Sequence, residues 1–277
     1  MVGILKEIKI YQKELNNNGI CIISKIFSDE KIVRTRKAVW DVIQGNYETG
    51  IEPEERFWNI GDNPKNIIKI DKPHLSNDTI RKLITSPVLG HYLSEITKSN
   101  IIQVWHSQSI WKPPGGGIKG NAGWHRDIQY WPFWSLEGVF TAWIALTDVG
   151  KDSGPVRFIL GSHKWSKLIR PTKWSNNQSW YDDDSSFMDL PPSKEFEKNI
   201  LIPELSLGDA VLFNFKTVHG STGNNSSKSR RAFSMRFIGD DVKYIDRGGP
   251  TSPPFDGINL KTGDLMRDDW FPKVFSS

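Results

Sequence analysis

The strongest limit on how this chain can fold lies in its second half, where β-branched and aromatic runs recur between turn residues. Ile101 to Lys112, Gly138 to Val149, Pro155 to Leu160, Ala210 to Phe215 and Ala232 to Ile238 are such runs, separated by Gly, Pro, Asn and Asp. Several short strands joined by long decorated loops point to an antiparallel double sheet, for which a jelly roll is the closed solution. The expected fold is mainly β with flanking helices.

The first hundred residues read differently. Leu5, Ile8 and Leu15 recur at helical spacing, Asn16 to Gly19 breaks the pattern, and Ile20 to Ile26 is a short β-branched run. Ser28 is placed to cap a helix in which Ile32, Val39 and Ile43 share a face, with Val33 and Trp40 beside it. Ser76 or Asn77 opens another helix, and Ser86-Pro87 restarts it, because proline is tolerated at a first helical position. One domain over residues 1–277 is expected: helical support over 1–99, a jelly-roll core over 100–239 and a C-terminal extension over 240–277. The extension, rich in Gly and Pro from Gly248 to Pro254, is expected to wrap the surface. Lys164 to Asn199 lacks a clear period and reads as a loop that either covers a site or is mobile.

Bulk properties exclude some functions. No apolar run approaches the length that crosses a bilayer, and Met1 to Gln12 lacks the features of a secretory signal. A lone Cys21 cannot form an internal disulfide, so a cytoplasmic setting is expected. The net charge of +4 arises from basic and acidic residues that alternate, as in Asp29-Glu30-Lys31. Without a basic stripe, neither nucleic acid nor membrane is an expected partner. A mild positive field favours anionic small molecules. Nothing in the sequence speaks to oligomeric state.

Six histidines narrow the search for chemistry. His125 and Asp127 stand two apart in Trp124-His125-Arg126-Asp127, and on an extended strand such residues share a face. A third group has to come from elsewhere, and His219 follows the apolar run Ala210 to Phe215. Two imidazoles and a carboxylate on one face of an iron leave open the positions needed by a keto acid and dioxygen. Taken alone, the tripeptide is equally what a hydrogen-bonded structural pair looks like. Arg230 opens the next β run after His219, and a hairpin return would bring its planar fork beside the metal to hold a carboxylate. A surface arginine is the plainer reading, since Lys228 and Arg231 flank it.

Five ordered segments add to this. They are Lys112-Pro113-Pro114; Trp124 to Asp127 with Tyr130-Trp131-Pro132-Phe133; Ala142-Trp143-Ile144-Ala145-Leu146; Gly161-Ser162-His163; and His219-Gly220-Ser221 with Asn224 and Arg230. In these, from about Lys69 to Gly239, the chain resembles the phytanoyl-CoA dioxygenase family of Fe(II)/2-oxoglutarate-dependent oxygenases. The resemblance implies a double-stranded β-helix, cupin-like core, with His125, Asp127 and His219 as metal ligands. It further implies that Arg230 pairs with the distal carboxylate of 2-oxoglutarate, that Ser221 hydrogen-bonds near it, and that Trp143, Gln108 and Lys69 line the same pocket. His163 and His106 read as structural. Trp131, Phe133 and Trp134 follow the metal pair closely and are candidates for a substrate wall or, equally, for core or lid packing, and Arg157 is a candidate to meet an anionic substrate group.

The implied cofactors are Fe(II), 2-oxoglutarate as cosubstrate, and O2. The implied reaction is hydroxylation, or another oxidation, of an unactivated C-H bond in a small molecule of specialised metabolism, with release of succinate and CO2. Asp127 argues against halogenation, because halogenases of this class replace the carboxylate with a small residue. Desaturation, epoxidation and ring closure use the same ligands. A non-catalytic iron-binding jelly-roll sensor or scaffold and a peptide or protein hydroxylase are the rival readings.

Overall fold

The structure, a computed structural model, describes residues 2–115, 120–129, 131–134, 138–172, 187–246, 257–266 and 271–277. Tyr130, the side chain of Trp134, the middle of the 164–199 stretch and the Gly248 to Pro254 segment lie outside the described residues.

Helices α1 (Val2–Asn18), α2 (Asp29–Ile43), α3 (Pro73–Ser76), α4 (Asp78–Ile84) and α5 (Pro87–Thr97) form the N-terminal support. Local chemistry explains their starts. The Ser28 hydroxyl accepts from the Lys31 amide, and the Asn77 side chain accepts from the amides of Thr79 and Ile80. Pro87 opens α5, where its missing N–H costs nothing.

The strands are β1 (Ile20–Ile23), β2 (Ile68–Asp71), β3 (Ile101–Lys112), β4 (Ala122–His125), β5 (Phe133–Trp134), β6 (Val139–Ala145) and β7 (Val156–Ile159). They continue with β8 (Leu168–Ile169), β9 (Phe187–Met188), β10 (Ile200–Leu201), β11 (Ala210–Asn214) and β12 (His219–Ser221). The last three are β13 (Arg230–Ile238), β14 (Lys243–Tyr244) and β15 (Lys273–Ser276). Among the described residues, a seven-stranded sheet runs β1-β11-β6-β13-β3-β15, with β2 also on β3. A four-stranded sheet runs β10-β7-β12-β4. Together they make the double-sheet jelly roll expected from the strand pattern.

The larger sheet divides its residues by period. Phe140, Ala142 and Ile144 of β6 join Ile32, Val39, Leu83 and Leu93 of the helices in the main core, while Trp143 and Ala145 face a second cluster with Phe158 of the smaller sheet. On β3 one residue breaks the period. Val104 pairs with Phe237 and His106 with Arg236, so Trp105 is a bulge. Below it Ile102 and Val104 pack on the helices; beyond it His106, Gln108, Ile110 and Lys112 are the alternate set opposite Arg236, Ser234, Ala232 and Arg230. Polar groups thereby enter the space between the sheets.

Two boundaries differ from expectation. The N-terminal third gives more than support, because β1 and β2 are strands of the larger sheet. The C-terminal extension does not merely wrap the surface: β15 pairs with β3 at Ile101 to Gln103, burying Phe271 and Val274. Both segments are short runs whose strand character comes from the edge they join. No helix among the described residues is long and apolar enough to cross a membrane.

Candidate active site

The smaller sheet brings the three candidate ligands together. His219, the first residue of β12, is the Cα partner of His125, the last of β4, and the ring centres are 4.3 Å apart. The Nδ1 of His125 donates to the Gly123 carbonyl at 2.8 Å, and that of His219 to the Thr217 carbonyl at 2.9 Å. A carbonyl can only accept, so both Nδ1 atoms carry protons and both Nε2 atoms keep their lone pairs. Oδ1 of Asp127 lies 3.9 Å from Nε2 of His125 and 3.7 Å from Nε2 of His219. One donor atom from each residue falls within 4.8 Å of the others.

Asp127 does not reach this point along an extended strand. It opens a 3-10 turn, Asp127–Gln129, directly after β4 ends. The residue between the ligands is turned elsewhere: Arg126, buried, donates to the carbonyls of Ser162, Trp165 and Lys167. Its own amide donates to the Gln129 side chain. These bonds tie the turn to the 162–167 segment. Glycines permit the close strand approach, since a Cβ on Gly220 would stand 2.9 Å from the carbonyl oxygens of Ala122 and Gly123.

The donor set fits a divalent first-row metal. Burial, with His219 next in effect, pushes His125 down to about 4, so its ring is neutral at ordinary pH. Two imidazoles and one carboxylate on one side leave coordination positions open. The ligand side chains are nearly enclosed, at 11%, 6% and 10% exposure for His125, Asp127 and His219. Phe213 and Phe158 wall the His219 ring.

Arg230 reaches the same region by a different route from the hairpin expected. β12 belongs to the smaller sheet and β13 to the larger, so the chain crosses between sheets, and Arg230 stands opposite Lys112 on β3. Asn224 shapes the crossing: its Nδ2 donates to the carbonyls of Lys112 and Lys228, and its Oδ1 accepts from Ser226. Arg230 is fully buried, donates one Nη1 bond to the Ile110 carbonyl, and lies over Trp143. Its Nε has no protein partner among the described residues, and burial pushes the group down to about 9. A buried, protonated and partly unsatisfied guanidinium suits a carboxylate. Ser221 is buried and accepts from Lys112, the Cα partner of Arg230.

Gln108 and Lys69 are engaged elsewhere. The buried Asp71 accepts from Gln108 at 2.6 Å and pairs with Lys69 at 2.9 Å, while Lys69 also lies 3.5 Å from Glu55. His106 is fully buried, within 3.4 Å of Asp71, and accepts from Arg236 at Nδ1. A pocket contact from Gln108 or Lys69 would have to compete with this carboxylate. Phe133 is fully buried against Trp105 and Phe271, which favours core packing over a substrate wall at this position. Trp131 packs edge-on to Trp105, with the Arg236 guanidinium 4.9 Å from its ring. Arg157 stacks on Trp124 at 4.2 Å and neighbours Lys112 electrostatically. His163 contacts the Asn16 carbonyl beside Gly19.

Sequence reasoning gave no role to Lys112, Arg126, Arg236 or Asn224. The signal was present for two of them: charged residues inside β-rich runs, Lys112 in Ile101 to Lys112 and Arg236 in Ala232 to Ile238, are unexpected on buried strands.

The sequence profile of phytanoyl-CoA dioxygenase (PhyH) matches residues 15–232. The human peroxisomal phytanoyl-CoA dioxygenase is 28% identical over 169 residues, 60% of this chain and 47% of that protein. The chain thus spans about half the length of that relative. Among solved structures, the α-ketoglutarate-dependent carbocyclase SnoK of nogalamycin biosynthesis superposes with a TM-score of 0.71 at 20% identity, over 96% of each chain. The epimerase SnoN, in complex with Fe3+, α-ketoglutarate and a nogalamycin, gives 0.74 at 18% identity, over 97% of this chain and 99% of its own. With its profile match over most of its length and a jelly roll that closes around His125, Asp127 and His219, the chain belongs to the phytanoyl-CoA dioxygenase family of Fe(II)/2-oxoglutarate-dependent oxygenases.

Proposed function

We propose that this protein oxidises an unactivated C-H bond of a small molecule, by hydroxylation or a related outcome, using Fe(II), 2-oxoglutarate and O2, with release of succinate and CO2. The carrying observation is the trio His125, Asp127 and His219, with each Nδ1 donating to a backbone carbonyl and the two Nε2 atoms 3.9 and 3.7 Å from the Asp127 carboxylate. His125, Asp127 and His219 would hold the iron. When bound, iron supplies the activation of dioxygen that the polypeptide lacks.

The chain's own residues bind and exclude. Arg230 pairs with the distal carboxylate of 2-oxoglutarate, with Trp143 beneath its guanidinium and Ser221 offering a hydroxyl. The near-complete enclosure of the three ligands keeps bulk water away and favours a compact substrate over a peptide in a shallow groove. A setting in specialised metabolism is supported by the likeness to two nogalamycin-biosynthesis enzymes. Arg236, partly accessible beside Trp131, and Arg157 on Trp124 are the charged groups a substrate would meet.

The test is an anaerobic mixture of protein, Fe(II) and 2-oxoglutarate. A weak visible charge-transfer band is expected, followed by succinate formation when air is admitted. No band at saturating concentrations would sink the cosubstrate assignment.

A further inference from the structure

We infer that Lys112 is a positioning residue of the 2-oxoglutarate pocket, which orients the Ser221 hydroxyl and makes the pocket selective for a keto acid with a distal carboxylate. The inference rests on the cosubstrate reading above and assigns a role to a residue outside it.

Geometry comes first. Lys112 ends β3 directly opposite Arg230, and its carbonyl is held by the Asn224 side chain. Its buried Nζ donates to the Ser221 hydroxyl and to the Thr222 carbonyl, each at 2.6 Å. Once charged, this amine has no lone pair, so the Ser221 hydroxyl can only accept from it and keeps its own hydrogen to donate; Lys112 thereby decides which way Ser221 can act. The stem is confined as well. A Cβ on Gly154 would meet Lys112 Cδ at 3.0 Å and the Thr222 carbonyl at 2.8 Å.

Electrostatics then asks why a lysine is there. The charged groups that bear on it are Arg230 from β13 and Arg157 from β7, both cations, while β12 offers only the neutral Ser221 and the carbonyl after it. Burial, then Arg230 and Arg157, push the ammonium down to about 6. For packing alone, a methionine would fill this volume without that cost. An anion bound beside Arg230 reverses the repulsion and favours the charged lysine. Binding a ligand with a distal carboxylate therefore draws a proton onto the protein near pH 7. A keto acid of the same chain length without that carboxylate does not.

The experiment is anaerobic calorimetry on the full chain loaded with Mn(II), titrated with 2-oxoglutarate and, separately, with 2-oxopentanoate. Running each at pH 7 in two buffers of different ionisation enthalpy counts the protons taken up. The parent should take up a large fraction of a proton with 2-oxoglutarate and none with 2-oxopentanoate. Lys112→Met should abolish the uptake and weaken 2-oxoglutarate tenfold or more, while 2-oxopentanoate and Mn(II) bind within twofold of the parent. Equal weakening of both keto acids, or parent-like binding of 2-oxoglutarate, overturns the inference. Should Lys112→Met not fold, the parent alone decides: 2-oxoglutarate binding without proton uptake overturns it. A parent that binds neither keto acid instead sinks the cosubstrate reading, and this inference with it.

Discussion

The guanidinium carbon of Arg230 lies 5.4 Å from the centre of the Trp143 ring, and the two side chains come from neighbouring strands of the larger sheet. Arg231, one residue on, sits over Trp111 at 4.8 Å, and Trp111 stacks on Trp40 of α2 on the helix side. Strand alternation thus sends adjacent arginines to opposite faces. Arg230→Ala is expected to cost about 2–5 kcal/mol in 2-oxoglutarate binding, since it leaves a buried carboxylate unpaired. Arg230→Lys should lose less, keeping the charge but not the fork. Arg231→Ala should bind like the parent. Anaerobic titration of 2-oxoglutarate into the metal-loaded proteins measures all three; an effect at Arg231 and none at Arg230 would reverse the assignment.

Removing either imidazole should remove the metal. His125→Ala and His219→Ala are each expected to abolish Fe(II) binding and succinate formation, because two remaining donors hold Fe(II) poorly. Asp127→Ala should lose oxidation while retaining some metal. Metal content after dialysis, read beside thermal melting, checks this, and parent-like turnover in any of the three would refute its place as a ligand.

Backbone approach at Gly220 should matter as much as the ligands beside it. A methyl there would stand 2.9 Å from two carbonyl oxygens of β4, forcing β12 and β4 apart where they carry His219 and His125. Gly220→Ala is expected to destabilise the fold by roughly 1–3 kcal/mol, as overpacking does, and to weaken metal binding together with it. Denaturant midpoints and metal titration on the same sample test the link; unchanged metal affinity would break it.

Acid should weaken the fold partly through His74. Burial, with Lys72 and Arg81 adding to it, pushes this histidine down to about 3, and its Nδ1 bonds Ser107 at 2.6 Å. The unfolded chain takes up a proton near pH 6.5 that the folded one refuses. Stability from this site is therefore complete above that pH and declines toward pH 3, by about 1.4 kcal/mol per pH unit. Urea unfolding at pH 7, 6 and 5 should show a shallower decline in His74→Gln than in the parent. Equal slopes would mean that His74 is charged in the folded protein.

What could be read from the residues alone was whatever depends on local order. β-branched and aromatic runs bounded by turn residues marked the strands β3, β6, β7, β11 and β13, caps at Ser28 and Asn77 marked helix starts, and the ordered motifs around His125 and His219 marked the family. The remainder depends on which segments meet. β2, β12 and β15 are too short to declare themselves and become strands because a partner edge satisfies their backbone. The bulge at Trp105 shifts the face of every later residue of β3, so no period in the sequence foretold that Lys112 would lie against Arg230 and Ser221. Phe133 stays open between two readings in the sequence for the same reason: an aromatic near a metal pair is a wall or core only according to what packs on it, and here Trp105 and Phe271 cover it. Motif spacing reports which groups are present, whereas burial and pairing, set by contacts far apart in the chain, decide what each group can do.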